Sequence, residues 1–169
     1  MQTINPNTLN GIDQEYIPEK PLSEYEPRLT ARVFVIDSEN NIGLIRHPPS
    51  NMLFPPGGGA EKGETVFEAS TREVAEELGV VCTPVEDLGI LEHYHDKWMK
   101  KFIIHHVYAT TDKQSIEVDL VDYDTNLERV WVSIEEYRNI LDNYLKNEKP
   151  DDVWAKAILY FLDAFSSHK

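Results

Sequence analysis

Three glutamates, Glu73, Glu76 and Glu77, stand close together just downstream of the glycine-dense run PGGGAEKGE at residues 56–64. Thr65 followed by Glu68 has the spacing of a capping box, which predicts a helix starting after Thr65. Gly79 sits where such a helix would stop, because glycine tolerates the left-handed turn there. On a helix turning ~100° per residue, Phe67, Thr71, Val74 and Leu78 form one stripe expected to face the core. The three glutamates occupy a separate sector, beside the small residues Ala69 and Ser70. Carboxylates crowded on one face repel each other, so a helix built only for stability would avoid them. Carboxylate oxygens are hard ligands, and Mg²⁺ or Mn²⁺ is the matching hard cation. A solvated acidic surface would account for the glutamates alone, and a glycine-rich loop alone is common. The two features at one fixed spacing are more specific than either.

Read from Gly58, the spacing is G-x5-E-x7-R-E-U-x-E-E-x-G-U, where U is a bulky aliphatic residue. The defined positions are Gly58, Glu64, Arg72, Glu73, Val74, Glu76, Glu77, Gly79 and Val80. This resembles the signature box of the Nudix hydrolases at every defined position, and Pro56-Gly57 resembles the usual lead-in to it. The resemblance is specific over residues 58–80, general over about 29–165, and absent over the first 28.

The resemblance implies an α/β fold, a mixed sheet between helices in an α/β/α sandwich, with the box as a loop–helix–loop. It implies a hydrolase that splits the phosphoanhydride of a nucleoside diphosphate derivative or nucleoside triphosphate. By motif position, Glu73, Glu76 and Glu77 resemble the metal-binding carboxylates, and a backbone carbonyl at Gly57 or Gly58 would add a ligand. Gly57, Gly58 and Gly59 would form the phosphate loop. Glu64 and Arg72 resemble the pair that braces loop against helix, which suits the fixed fork of a guanidinium. The base that deprotonates the attacking water is either Glu73 or Glu76, or an acid beyond the box from among Glu117, Asp119, Asp122, Asp124 and Glu128. Glu128 is favoured, because family members often place a glutamate shortly before a strand tryptophan, here Trp131. The alternative reading is a non-catalytic Nudix domain that binds or senses a nucleotide; such domains typically lose box carboxylates, and none is lost here.

Elements that could carry this motif are visible on both sides of it. Residues 29–36 are rich in β-branched side chains and read as a buried strand; 37–41 is turn-forming, and 42–46 reads as the hairpin partner. Residues 85–94, 102–110 and 129–132 read as further strands. Ser133, three residues before Glu136, should start a helix towards Leu145, and 151–165 is a second amphipathic helix. Strands interrupted by a few helices point to a layered α/β domain over 29–169. Residues 1–28 carry Pro6, Pro18, Pro21 and Pro27 without a sustained period. They read as an extended arm that docks on its own domain or on a second subunit, giving a homodimer.

At 169 residues the chain suits one domain with a proper core. Its net charge of −14 disfavours polyanionic partners such as duplex nucleic acid or an anionic membrane. A small phosphorylated substrate remains compatible, because a bound divalent ion inverts the local sign. No apolar run approaches the ~20 residues of a membrane span, and the first residues do not resemble a secretory leader. The single cysteine, Cys82, excludes an internal disulfide and suggests a reducing cytoplasm, with Cys82 as an inert buried thiol.

Features that could choose the substrate lie outside the box. Phe54 either lines the pocket or fills the core. His93, Tyr94, His95 and Trp98 gather near one hairpin end, with His105 and His106 on the facing strand. An aromatic there could stack on a base, though ordinary strand packing explains any one of them. A zinc site from these histidines is disfavoured, since no cysteine stands nearby.

Overall fold

The computed structural model describes residues 3–4, 19–46, 52–116, 127–150 and 152–166. Among the described residues there are seven strands: β1 (Thr3–Ile4), β2 (Glu26–Ile36), β3 (Asn41–Arg46), β4 (Leu53–Phe54), β5 (Thr83–His95), β6 (Lys100–Thr110) and β7 (Glu128–Ser133). Three α-helices accompany them among the described residues, α1 (Val66–Leu78), α2 (Ile134–Asn147) and α3 (Val153–Ser166). The strands form one mixed sheet in the order β1-β5-β6-β2-β3-β4, with β7 also pairing with β3. β2 and β6 run parallel along their whole length, and β5 returns antiparallel on β6.

Alternation along the strands divides the core into two layers. Ala31, Val33 and Val35 of β2 pack with Ala69, Val74 and Leu78 of α1. Phe34 and Ile36 face the other way, against Tyr137 and Leu141 of α2 and Phe161 and Leu162 of α3. Each of these large apolar side chains contributes roughly 1.5–3 kcal/mol by leaving water. The result is the three-layer α/β/α sandwich expected from the sequence.

α1 has the predicted bounds because both ends are capped. Thr65 Oγ1 accepts from the Glu68 amide at 3.2 Å, and the Thr65 amide donates to Glu68 Oε2 at 2.8 Å. Gly79 closes the helix at φ 69°, donating to the Ala75 carbonyl at 2.9 Å. The expected core stripe is corrected. Phe67 is 40% exposed, and the buried residues of α1 are Ala69, Ser70, Glu73, Val74, Glu77 and Leu78. The buried face is therefore centred on Ser70, Glu73 and Glu77, and Val74 and Leu78 mark one edge of it. The helix packs two acids inward because the glycine loop beneath supplies polar partners, so hydrophobicity alone misplaced the face.

β2 starts at Glu26, inside the segment expected to be the arm, and Thr3–Ile4 pairs in parallel with Ile90 and Leu91 of β5. No helix among the described residues is long and apolar enough to cross a membrane.

Candidate active site

Residues 56–60 run alongside the first half of β2 where β3 does not reach. The Ala31 amide donates to the Gly58 carbonyl and the Val33 amide to the Pro56 carbonyl, each at 2.9 Å, while Ala60 donates to Leu29 at 3.0 Å. The glycine loop thus borrows the rigidity of the sheet. Two of its glycines are required by space. A Cβ on Gly57, where φ is +150°, would lie 2.1 Å from the Ala31 carbonyl oxygen. On Gly58 it would lie 2.4 Å from Glu73 Oε1. Only residues without a side chain let the loop approach both β2 and the helix.

Arg72 ties the site together. Its Nε and Nη2 donate to the two carboxylate oxygens of Glu64 at 2.9 and 3.0 Å, a bidentate pair. Nη2 also donates to the Gly59 carbonyl at 3.0 Å. Nη1 bridges Glu73 Oε1 at 2.8 Å and Glu76 Oε2 at 3.2 Å. One guanidinium thus holds loop, helix start and two of the three signature glutamates. Glu77 reaches the loop separately, accepting from the Gly57 amide at 2.7 Å.

The electrostatics follow from this packing. Burial pushes the Glu73 carboxyl above its ordinary range, with Arg72 opposing and the charge of Glu76 adding to the rise. The Glu64 carboxyl is held below its usual range by Arg72. The Arg72 guanidinium is held charged, first by Glu64.

Two arginines outside the signature also act here. Arg32 Nη1 donates to the Gly57 carbonyl at 2.9 Å and to Pro55 at 3.3 Å. Arg129 Nε donates to the Glu77 carbonyl at 2.7 Å, placing a cation at the C-terminal end of α1. The sequence reading missed both; basic residues interrupting apolar strands were the available signal.

The structure brings Glu64, Arg72, Glu73, Glu76, Glu77, Gly57, Gly58 and Gly59 together, and separates Glu128 from them. In β7, Trp131 packs on the α1 side and Val130 on the other. Glu128 shares the parity of Val130 and pairs with Arg46 Nε at 2.8 Å. It therefore lies on the sheet face away from the signature glutamates. Glu117, Asp119, Asp122 and Asp124 lie outside the described residues. Phe54 is half-buried and packs against both core layers.

His106 is buried in the core, stacked on Phe161 at 3.9 Å, and His105 Nδ1 is 2.6 Å from Asp87 Oδ2. Cys82 is buried, with its thiol pushed up to about 11 by burial.

The donor set around Glu73, Glu76 and Glu77 is all hard oxygen, which fits Mg²⁺ or Mn²⁺. Glu73 is desolvated and like-charged with Glu76, so a cation entering beside Arg72 would relieve the same repulsion that Arg72 now offsets. Among the described residues, no three of His, Cys, Asp or Glu are arranged so that they could hold a metal ion together.

A glycine loop paired to the central strand β2 and locked by arginine to a glutamate-bearing helix, within an α/β/α sandwich, defines a Nudix-type domain. The family model for the NUDIX domain matches residues 26–154, and the chain belongs to that family. It is 36% identical over 97 residues to Nudix hydrolase 4 of Arabidopsis thaliana, covering 57% of this chain and 45% of that protein. It is 35% identical over 79 residues to the low-salt glycan biosynthesis protein Agl8 of Haloferax volcanii, covering 46% and 51%. The chain thus spans about half the length of the relatives it matches. Among solved structures it resembles a NUDIX hydrolase from Nitrosomonas europaea, with TM-score 0.61, 21% identity and coverage of 85% and 91%. An Ap4A hydrolase of C. elegans aligns at TM-score 0.55 and 19% identity, covering 85% and 98%. At these identities the structural likeness speaks for the fold.

Proposed function

We propose that the chain hydrolyses a phosphoanhydride bond in a nucleoside diphosphate derivative or nucleoside triphosphate, with Mg²⁺ or Mn²⁺, in a reducing cytoplasm. The observation that carries this is the Arg72 clamp, which holds Glu64, Glu73, Glu76 and the Gly59 carbonyl around one guanidinium. Glu73, Glu76 and Glu77 would hold the cation, with the Gly57 carbonyl as a further donor. When bound, the cation polarises phosphoryl oxygens and lowers the pKa of the attacking water. Arg72 keeps Glu73 and Glu76 oriented towards a common point and fixes the loop at Gly59. Arg32 and the Glu77 carboxylate hold Gly57 from opposite sides, through its carbonyl and its amide. The substrate's phosphates would lie on a loop that cannot retreat, which is the orientation hydrolysis needs. Glu73 or Glu76 would take the proton from water, with Glu128, paired with Arg46 on β7, as the acid beyond the box.

The test is a panel of nucleoside diphosphate derivatives and triphosphates with Mg²⁺ or Mn²⁺, read as phosphate after a coupled phosphatase. Glu76→Gln and Glu77→Gln should each lower kcat by orders of magnitude with the fold intact. Glu128→Gln should stay within a few-fold of wild type. Near-normal turnover in both helix variants would sink the metal-site assignment, and a collapse in Glu128→Gln would return the base to β7.

A further inference from the structure

The last turn of α1 carries Glu76 and Glu77 and closes at Gly79, where a helix runs out of amides for its final carbonyls. β7 supplies donors for them. Arg129 Nε donates to the Glu77 carbonyl at 2.7 Å, and Nη2 stands 3.5 Å from the Glu76 carbonyl. Two residues further along the same face of β7, Trp131 reaches Leu78 across Gly43, its partner in the β3–β7 ladder. A Cβ on Gly43 would lie 2.7 Å from Leu78 Cδ1 and 2.8 Å from Trp131 Cη2, so the two side chains meet in the space that glycine leaves. β7 thus grips the turn at two points, one apolar and one polar. The chain beyond the helix is pinned too: the Ile116 amide donates to the Gly79 carbonyl at 3.1 Å, and the Val81 amide to the Gln114 carbonyl at 3.0 Å.

Glu77 is held at both ends. Its carboxylate accepts from the Gly57 amide at 2.7 Å, and its carbonyl accepts from Arg129. Such a grip matters because side-chain tips lie about 5–6 Å from a helix axis, so a rotation of about 10° moves a carboxylate by about 1 Å. No ion pair to Arg129 is found among the described residues, so its bonds to the two glutamates are to their main chain. Charge and position therefore pull in opposite directions. By charge alone, a guanidinium near the glutamates repels a divalent ion, and removing it would tighten cation binding. By position, removing it frees the turn and weakens cation binding. Arg129 is exposed, so solvent and salt screen the first effect, while the second is local.

We propose that Arg129 is a positioning residue for the cation site, fixing the last turn of α1 so that the Glu76 and Glu77 carboxylates stay aimed at the ion. The proposal rests on the reading of Glu73, Glu76 and Glu77 as the ligands of that ion. Arg129 lies outside the signature and on the surface, so replacing it should leave the fold intact.

The test titrates Mn²⁺ into the full chain by calorimetry, with free Mn²⁺ followed by electron paramagnetic resonance and urea unfolding run in parallel. Arg129→Met keeps the aliphatic length and removes the donors. It should bind Mn²⁺ about 10-fold more weakly, as expected when a group that orients metal ligands is lost. Arg129→Lys keeps the charge and one donor, and should recover part of that loss. In turnover, the Mg²⁺ concentration for half-maximal rate should rise by the same factor in Arg129→Met. KM for the nucleotide at saturating Mg²⁺ should stay within about two-fold of wild type, since substrate binding itself is untouched. Tighter Mn²⁺ binding in Arg129→Met would show that charge outweighs position and would overturn the proposal. Unchanged Mn²⁺ affinity with a lower urea midpoint would reduce Arg129 to a prop for the fold and overturn it equally. Hydrolysis is scored separately: weaker Mn²⁺ binding in Arg129→Met, with no anhydride turned over by wild type, would preserve the positioning role and reject the hydrolase. Turnover by wild type with the same Mg²⁺ dependence in Arg129→Met would preserve the hydrolase and reject the positioning role. A wild type that binds no Mn²⁺ would overturn both.

Discussion

Gly58→Ala should separate activity from stability. The new methyl would lie 2.4 Å from Glu73 Oε1 and 2.7 Å from its Cδ, about 1 Å inside ordinary contact. Something has to move, and the backbone at Gly58 is bonded to Ala31 at 2.9 Å within the sheet. The mobile partner is the Glu73 carboxylate. A retreat of about 1 Å breaks its 2.8 Å bond to Arg72 and shifts it from the point it shares with Glu76. Overpacking of this kind costs about 1–3 kcal/mol. Misplacement by 1 Å at a reacting centre costs about 10²-fold in rate. The assay pairs urea unfolding with kcat on the best substrate of the panel, using two neighbouring glycines as references. Gly57→Ala would press on backbone, 2.1 Å from the Ala31 oxygen, and should lose far more stability than Gly58→Ala. Gly63→Ala meets nothing within 4 Å and strains only a φ of +90°, so activity should survive. If Gly58→Ala turns over within a few-fold of wild type, Glu73 is not held where the reaction needs it.

Arg72→Lys should cost about 1–3 kcal/mol in urea unfolding, because an ammonium cannot serve Glu64 in bidentate fashion while bridging Glu73 and Glu76. A loss under 0.5 kcal/mol, on the order of measurement error, would show that the clamp is not cooperative. His106 gives a pH signature. Burial depresses its pKa from 6.5 to about 3, so below pH 6.5 the unfolded chain holds a proton that the folded chain does not. Stability should therefore fall with acid by about 1.4 kcal/mol per pH unit relative to His106→Phe, until the pH approaches the folded value. Parallel stability–pH curves for the two proteins would refute this.

The helix bounds were legible because caps are local: Thr65, Glu68 and Gly79 decide them within one turn of chain. The strands were legible to within a few residues for a similar reason, since β2, β5 and β6 are long and bounded by turn residues. The inward face of α1 was not legible, because it depends on a partner distant in sequence. Phe67 outranks Glu73 and Glu77 on hydrophobicity, yet the loop at Gly57 and Gly58 offers an amide and no side-chain bulk, and that partner is met only after folding.

The same distinction explains which site residues could be found. Glu64, Arg72 and the three glutamates are joined within one stretch of chain, so spacing carries their geometry. Glu128 was chosen by its distance from a tryptophan, and strand parity puts it on the opposite sheet face from Trp131. Arg129, one position along, reaches the Glu77 carbonyl, while Glu128 meets Arg46. Parity could have been applied from the sequence once Trp131 was assigned to the α1 side, and that assignment needs the sheet. Arg28 and Arg32 show the converse. Two cations spaced at even intervals through a β-branched strand cannot both be solvated surface if the strand is central, as β2 is. Arg32 is bound to the loop and Arg28 lies against it. A charged residue in a central strand should therefore be read for what its face meets, before it is set aside as an edge.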